Sequence, residues 1–294
     1  MSVLCIYHGN CADGFGAAWV VRKFFQDAGN PVEFHSGVYQ EPPPDMTGRD
    51  VLMVDFSYKR AVIEEMAKSA RSIIILDHHK TAQADLFGFP VPSSPGIGER
   101  TGPWVPAPGV QALFDMNRSG AGLTWDWFYP GDSRPALIDH IEDRDLWRFK
   151  LAGTREIQAA VFSYPYDFRR WDLWMSRDGM MLELMAEGRA IERKHFKDID
   201  EALKVMQRRA LIGGHDVPVA NLPYFFSSDA GHKMAQGEAF AACYWDTPEG
   251  RVFSLRSADD GIDVSEIAKK YGGGGHAKAA GFRVSLDHPL VTDL

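Results

Sequence analysis

The chain has 294 residues, 45% of them hydrophobic and 24% charged, and a formal charge of −8 at neutral pH. This composition excludes wholesale disorder, and the length exceeds one ordinary core while suiting two domains of about 100–200 residues each. The acidic balance argues against a protein that grips long duplexes by counterion release, which calls for a basic surface.

The first strand is expected at Val3–Tyr7 and the first helix at Gly14–Gln26, with Ala17, Ala18, Val21 and Phe24/Phe25 on one side at helical spacing. Val32–Ser36, Val51–Asp55 and Ser72–Leu76 read as further strands, with a helix through Ala61–Ala70. These strands are apolar throughout rather than alternating, which implies a parallel sheet covered on both faces. Between Phe87 and Gly109 runs a Pro/Gly-rich stretch, readable as a surface loop or as a lid near the site. Val110–Phe114 resumes the strand pattern, and Ser119 is placed to cap a helix beginning SGAGLTWDWF. Pro135–Phe149 reads as helical, as does Asp178–Gln207, whose Met181, Leu184, Met185 and Ile191 suit packing between domains. Past Gly213-Gly214 the pattern changes to strands at Val217–Asn221, Phe240–Asp246, Arg251–Ser257 and Gly281–Leu286, with a helix at Val264–Tyr271.

Three cysteines (Cys5, Cys11, Cys243) form no CxxC pair, so neither a disulfide framework nor a zinc knuckle is expected. The first residues lack the pattern of a signal peptide, and no apolar run approaches the roughly 18–20 residues that span a bilayer. A cytoplasmic protein with no membrane partner follows as the expectation.

His8, Asp55 and Asp77-His78-His79 all fall just past expected strand ends, where parallel sheets gather their chemistry. With Asp13 and an acidic helix offering Asp139, Glu142, Asp143 and Asp145, they make a dense set of carboxylates and imidazoles. Unit charges of like sign about 4 Å apart repel by roughly 4 kcal/mol at an effective dielectric of 20. Divalent cations neutralise such a cluster, and mixed nitrogen and oxygen donors favour transition ions over magnesium. A carboxylate bridging two ions is the arrangement used to split phosphate esters.

In this order the motifs resemble those of the DHH phosphoesterases. ILDHH (Ile75–His79) looks like the motif that names the family, YHGNCADG (Tyr7–Gly14) like its first, MVDF (Met53–Phe56) like its second and IEDRD (Ile141–Asp145) like its fourth. SLRS (Ser254–Ser257) and GGGGHAKAAGF (Gly272–Phe282) are similar to the family's associated substrate-binding domain. The relatives so implied are RecJ-like exonucleases, nanoRNases, phosphoadenosine phosphatases and cyclic-dinucleotide phosphodiesterases.

The resemblance implies an α/β fold. A DHH catalytic domain over residues 1–177, built on a parallel sheet, would join through a helical connector at 178–207 to a smaller α+β associated domain at 208–294. The active cleft would lie between the two domains. It places one metal on His8 and Asp55, with Cys11 standing where the family has an Asp, and a second on Asp13, Asp55, His78 and Asp143. The family's first motif has Asp at four and six residues past the His, whereas Cys11 and Asp13 lie three and five past it. Asp77 would orient the histidines and His79 approach the phosphate. Arg256, Ser257, Gly273, Gly274, Gly275 and His276 would bind substrate phosphate, the glycine amides forming an anion nest.

The expected activity is hydrolysis of short oligonucleotides or small nucleotides, as a phosphodiesterase or exonuclease using two divalent cations. Mn2+ is the expected ion, with Co2+, Zn2+ and Mg2+ as alternatives, and a homodimer is allowed. The rivals are a phosphomonoesterase of the pAp type, a polyphosphatase, and a weakly catalytic nucleotide- or RNA-binding regulator.

Overall fold

The computed structural model describes residues 2–39, 41–95 and 104–292. The chain divides into two units, Met1–Ile191 and Glu192–Leu294, with the boundary inside a helix that runs from Met180 to Met206.

Unit 1 carries a five-stranded parallel sheet in the order β2-β1-β3-β4-β5, from β1 (Val3–His8), β2 (Val32–Gly37), β3 (Asp50–Val54), β4 (Ser72–Asp77) and β5 (Gly109–Phe114). The helices between them are α1 (Ala12–Asp27), α2 (Arg60–Met66) and α3 (Lys80–Asp85), followed after β5 by α4 (Gly120–Phe128), α5 (Ala136–Asp145), α6 (Thr154–Phe162) and α7 (Phe168–Ser176). The unbroken apolar runs have a direct cause in this layering. Cys5, Leu52, Val54, Ile74 and Leu76 point to the core under α1 and α4, while Leu4, Ile6, Val51, Met53, Ile73 and Ile75 point to the core holding Ile63 and Met66 of α2. Each fully buried aliphatic side chain contributes about 1.5–3 kcal/mol, so neither face tolerates a polar residue mid-strand.

From β1 the chain crosses to β2 on one side of the sheet and then returns to β3 on the other. The strand order therefore reverses between β1 and β3. Crevices at such reversals, outside the carboxyl ends of the strands, are where open α/β sheets bind ligands.

The Pro/Gly-rich stretch is described only in part, since residues 96–103 lie outside the described residues. Of its described flanks, Trp104 meets Phe25, near the end of α1, edge-on at 5.3 Å, and the Pro90 carbonyl accepts from Ala112 N in β5 at 2.9 Å.

Unit 2 takes in the end of α8 (Met180–Met206) and carries a six-stranded sheet in the order β10-β11-β9-β8-β7-β6. Its strands are β6 (Gln207–Ile212), β7 (His215–Asn221), β8 (Ala241–Thr247), β9 (Gly250–Arg256), β10 (Gly274–Gly275) and β11 (Ala279–Val284), antiparallel except for the β7–β8 pair. On one face α10 (Val264–Lys269) buries Val264, Ile267 and Ala268 against Phe253, Leu255 and Phe282. On the other, α9 (Ser227–Met234) packs Ala230 and Met234 with Ile199, Leu203 and Cys243. A last short helix, α11, spans Pro289–Thr292. Among the described residues no helix is long and apolar enough to cross a membrane.

Candidate metal centre

β1 ends at His8, and α1 begins four residues later with Asp13 in its first turn. The Asp13 carboxylate does not point to solvent; it accepts from Gly120 N at 2.5 Å and Ala121 N at 2.8 Å, the first amides of α4. Those amides have no partner within the helix, so a carboxylate there satisfies them and meets the positive end of the helix dipole. Ser119 caps α4 as expected, its Oγ accepting from Gly122 N at 3.1 Å. Ser119 N in turn donates to Glu142 Oε2 at 3.0 Å, and Glu142 is held by Arg134 at 3.1 Å and Arg148 at 3.2 Å.

Asp55 follows β3 in a left-handed conformation, with φ of 54°. For a residue with a Cβ this costs of order 1–3 kcal/mol and persists only where the surroundings impose it. Here Asp55 N donates to Leu76 O at 2.9 Å, and Gly120 packs against the side chain so closely that a Cβ on Gly120 would stand 2.3 Å from Asp55 Cβ. The sheet and α4 thus clamp the carboxylate from two sides.

β4 delivers Asp77, His78 and His79. The Asp77 side chain is wholly buried and is a hub: Oδ1 accepts from His78 N at 2.7 Å, His79 N at 3.2 Å and His79 Nδ1 at 2.7 Å, and Oδ2 accepts from Ser57 Oγ at 3.0 Å. Burial alone would raise the Asp77 pKa, but His79 and His78 hold it below the ordinary value. An ionised Asp77 can only accept, so His79 Nδ1 is the donor of that bond and the ring is fixed through it.

The donors converge. His78 Nε2 lies 3.0 Å from Asp55 Oδ1, 3.5 Å from Asp13 Oδ2 and 3.6 Å from Asp145 Oδ2, and His8 Nδ1 lies 3.5 Å from Asp55 Oδ2. Among the described residues of unit 1 two sets of three donor atoms form, His8–Asp55–His79 and Asp13–Asp55–His78, and both contain Asp55. The buried Asp55 Oδ2 makes no hydrogen bond among the described residues. A buried carboxylate oxygen of that kind is costly unless something else completes it. The donor chemistry of imidazole and carboxylate fits a divalent transition ion.

The electrostatics show what the cluster does with protons alone. Burial, then repulsion from Asp55 and Asp145, pushes Asp13 well above the carboxylate range. Desolvation and Asp55 also raise Asp145, against the pull of His78. Burial would lower His78, but its hydrogen bond to Asp55 and the charges of Asp145, Asp55 and Asp13 raise it well above the ordinary histidine value. His8 is raised in the same sense by Asp55 and Cys11, again against burial. Asp55 itself is held far below the usual carboxylate range by His78 and His8 although burial acts the other way. Charges packed this closely call for neutralisation, by protons or by a cation.

Asp143, aligned above with the family's ligand, is not among these groups. Its Oδ1 accepts from Lys150 N at 2.8 Å and its Oδ2 from Leu151 N at 3.0 Å and Thr154 Oγ1 at 2.6 Å, so the carboxylate ties the end of α5 to the start of α6. Asp145, the last residue of α5, is the acid of IEDRD that faces His78. The two lie two positions apart, and about 100° of helical rotation per residue sends them to different sides. Spacing alone does not show which one faces the sheet.

Cys11 stands at the N-cap of α1 with no side-chain capping bond, beside His8. Burial raises its thiol pKa, which leaves it protonated near neutrality, and it belongs to neither donor set. Tyr39, just past β2, was not singled out from the sequence. Its ring meets those of His8 at 5.3 Å and His79 at 6.1 Å.

In unit 2, Arg256 ends β9 with its guanidinium on Ser254 Oγ (3.0 Å), Leu255 O (2.8 Å) and Ser228 Oγ (2.8 Å). Ser257 is buried, and its amide donates to Lys278 O at 3.0 Å. The glycine run differs from the expected nest of open amides. Gly272 N and Gly273 N donate to Lys269 O and Ala268 O, both at 3.0 Å, and His276 N donates to Ala279 O at 2.8 Å. Gly274 and Gly275 pair with Gly281 and Ala280 as β10. The run is glycine because β11 lies against it: a Cβ on Gly273 would stand 2.1 Å from Gly281 O.

No family model matches the chain. It is 28% identical, over 304 aligned positions, to the uncharacterized protein R106 of Acanthamoeba polyphaga mimivirus, which covers 95% of this chain and 67% of that protein. A stretch of 32 residues is 66% identical to oligoribonuclease NrnB of Bacillus subtilis (strain 168), covering 11% of this chain and 8% of the enzyme. Among solved structures, RecJ of Thermus thermophilus in complex with Mn2+ superposes with a TM-score of 0.49 at 14% identity, over 99% of this chain and 51% of RecJ. The chain carries the motif series of the DHH phosphoesterases, in order and on a reversing parallel sheet, and it is that superfamily which it resembles.

Proposed function

We propose that this protein is a divalent-cation-dependent phosphoesterase that hydrolyses phosphodiester bonds in short oligonucleotides or small nucleotides. The observation that carries the reading is Asp55: one strained, buried carboxylate shared by two donor sets, with an oxygen left without a hydrogen bond. His8, Asp55 and His79 would hold one ion, and Asp13, Asp55 and His78, with Asp145 alongside, a second. Such ions, when bound, polarise phosphoryl oxygens and lower the pKa of water.

The chain's own residues do the positioning. Asp77 holds the His79 ring through Nδ1, and the amides of α4 fix Asp13 against rotation. Glu142, braced by Arg134 and Arg148, steadies the start of α4. Partners of this kind, behind the ligands, are typically worth about 10–100-fold in metal affinity or activity. Arg256, Ser257 and His276 would contact substrate phosphate from unit 2, the Arg256 guanidinium by exchanging one of its bonds to Ser254 Oγ, Leu255 O or Ser228 Oγ.

A net charge of −8 suits a short polyanion better than a long one. The stretch shared with an oligoribonuclease supports the same substrate class. Manganese is the preferred ion on donor chemistry. The test is a comparison of pApA, pAp and linear polyphosphate with Mn2+, for the wild type and Asp55→Asn. The diester should be cleaved fastest, and Asp55→Asn should lose about 10²–10³-fold or more, at least what a single misplaced electrostatic group costs. Preference for pAp or polyphosphate makes it a monoesterase or polyphosphatase. Binding of oligonucleotide without any hydrolysis makes it a regulator.

A further inference from the structure

Tyr39 is placed where a substrate can reach it. It follows the carboxyl end of β2, beside the end of β1 that carries His8. Its ring leans on Phe56 at 4.9 Å and meets His8 edge-on at 5.3 Å, with the His79 ring 6.1 Å away. Phe56 is wholly buried, so Tyr39 rests on a fixed support. Yet 45% of Tyr39 remains in solvent, whereas Tyr58, the other tyrosine packed on Phe56, is buried. A half-exposed ring held against two imidazoles of the cluster is poorly explained as core packing.

We infer that Tyr39 is a substrate-binding residue, its ring the surface on which the nucleobase next to the scissile phosphate stacks. The inference rests on the phosphoesterase reading above and narrows it to substrates that carry a base. A phosphate held by the donor sets around His8 and His79 leaves its own nucleoside within reach of this ring. Every base has a π-face, so stacking tolerates any sequence. The same contact offers nothing to inorganic polyphosphate.

The test measures KM and kcat for pApA with Mn2+, and the dissociation constant of the phosphorothioate-linked dinucleotide, in the wild type, Tyr39→Leu and Tyr39→Phe. Tyr39→Leu should raise KM and the dissociation constant about 5- to 100-fold, the usual worth of a base–aromatic stack. The loss should fall on KM rather than kcat, and Tyr39→Phe should recover it. The inhibition constant of tripolyphosphate should move far less than that of the dinucleotide. Equal KM and dissociation constants in wild type and Tyr39→Leu overturn the stacking while leaving the phosphoesterase reading intact. A Tyr39→Phe loss as large as that of Tyr39→Leu also overturns it, since the hydroxyl is then the working group. A wild type that cleaves no phosphoester overturns the underlying reading instead, and this inference with it.

Discussion

His78 Nε2 stands 3.0 Å from Asp55 Oδ1, while the other oxygen of the same carboxylate lies 3.5 Å from His8 Nδ1. One side chain thereby links the end of β1 to the end of β4 across β3, at the point where the strand order reverses. The converging charges are held in place by the sheet, by α4 and by Asp77, so the donors are arranged before any ligand arrives.

Filling this site should stabilise the fold. An ion at 100 times its dissociation constant adds about 2.7 kcal/mol. For a unit of this size that raises Tm by about 5–10 °C. Thermal melts in EDTA and in saturating Mn2+ measure it directly, and superimposed curves would sink the metal centre.

Asp143 and Asp145 should separate cleanly. Asp143→Asn weakens three hydrogen bonds that join α5 to α6, and should cost about 1–3 kcal/mol of stability with metal affinity preserved. Asp145→Asn should do the reverse, changing Tm little while weakening Mn2+ binding. Titration calorimetry alongside urea unfolding checks both. If Asp143→Asn is the variant that loses metal, the placement of the fourth motif given above is wrong.

Cys11 sits beside His8 with its thiol protonated near neutrality. Cys11→Asp puts a second carboxylate near the His8–Asp55–His79 set, and should tighten Mn2+ binding by about tenfold, the low end for a change in a ligand's surroundings. The measurement is the Mn2+ dissociation constant. Weaker binding in the variant would mean that the added charge meets repulsion and not a cation.

Acid stability should depend on Asp126, away from the cluster. Its carboxylate accepts from Arg134 Nε at 2.8 Å and Nη2 at 2.6 Å and from Arg118 Nη1 at 2.9 Å. Burial would raise its pKa, but the two guanidinium groups hold it below the ordinary value. A carboxylate depressed in the folded state contributes its full stabilisation above the unfolded pKa of about 3.9. That contribution is lost as pH falls through the lower, folded value. Asp126→Asn should therefore lower the urea midpoint at pH 7 and bring it close to the wild type in the acid range. A constant difference at all pH values would exclude this ion pair as the cause.

Much of unit 1 was legible because a strand buried on both faces has no choice of residues. Leu4, Ile6, Met53 and Ile75 serve one core and Cys5, Leu52, Val54 and Ile74 the other, so β1, β3 and β4 stand out as unbroken apolar runs. The edge strand β6 did not stand out. Its QRRALI sequence exposes Gln207, Arg208 and Arg209, and the residues beyond it, Gly213-Gly214, turn the chain straight back into β7. Helices α6 and α7 were missed for a related reason: Trp171 and Trp174 anchor α7 through packing, while its flanking residues are polar.

The order of acidic and imidazole residues past each strand end was written in the sequence, because parallel strands must place their carboxyl ends together. Which acid of IEDRD faces His78, that the glycine run accommodates β11, and that Tyr39 stands beside His8 were settled only in three dimensions. Each depends on a neighbour that local pattern does not reveal: His78 for Asp145, Gly281 for Gly273, Phe56 for Tyr39. Local pattern says what a residue is able to do; the partner that takes up its hydrogen bonds, or fills its space, decides what it does.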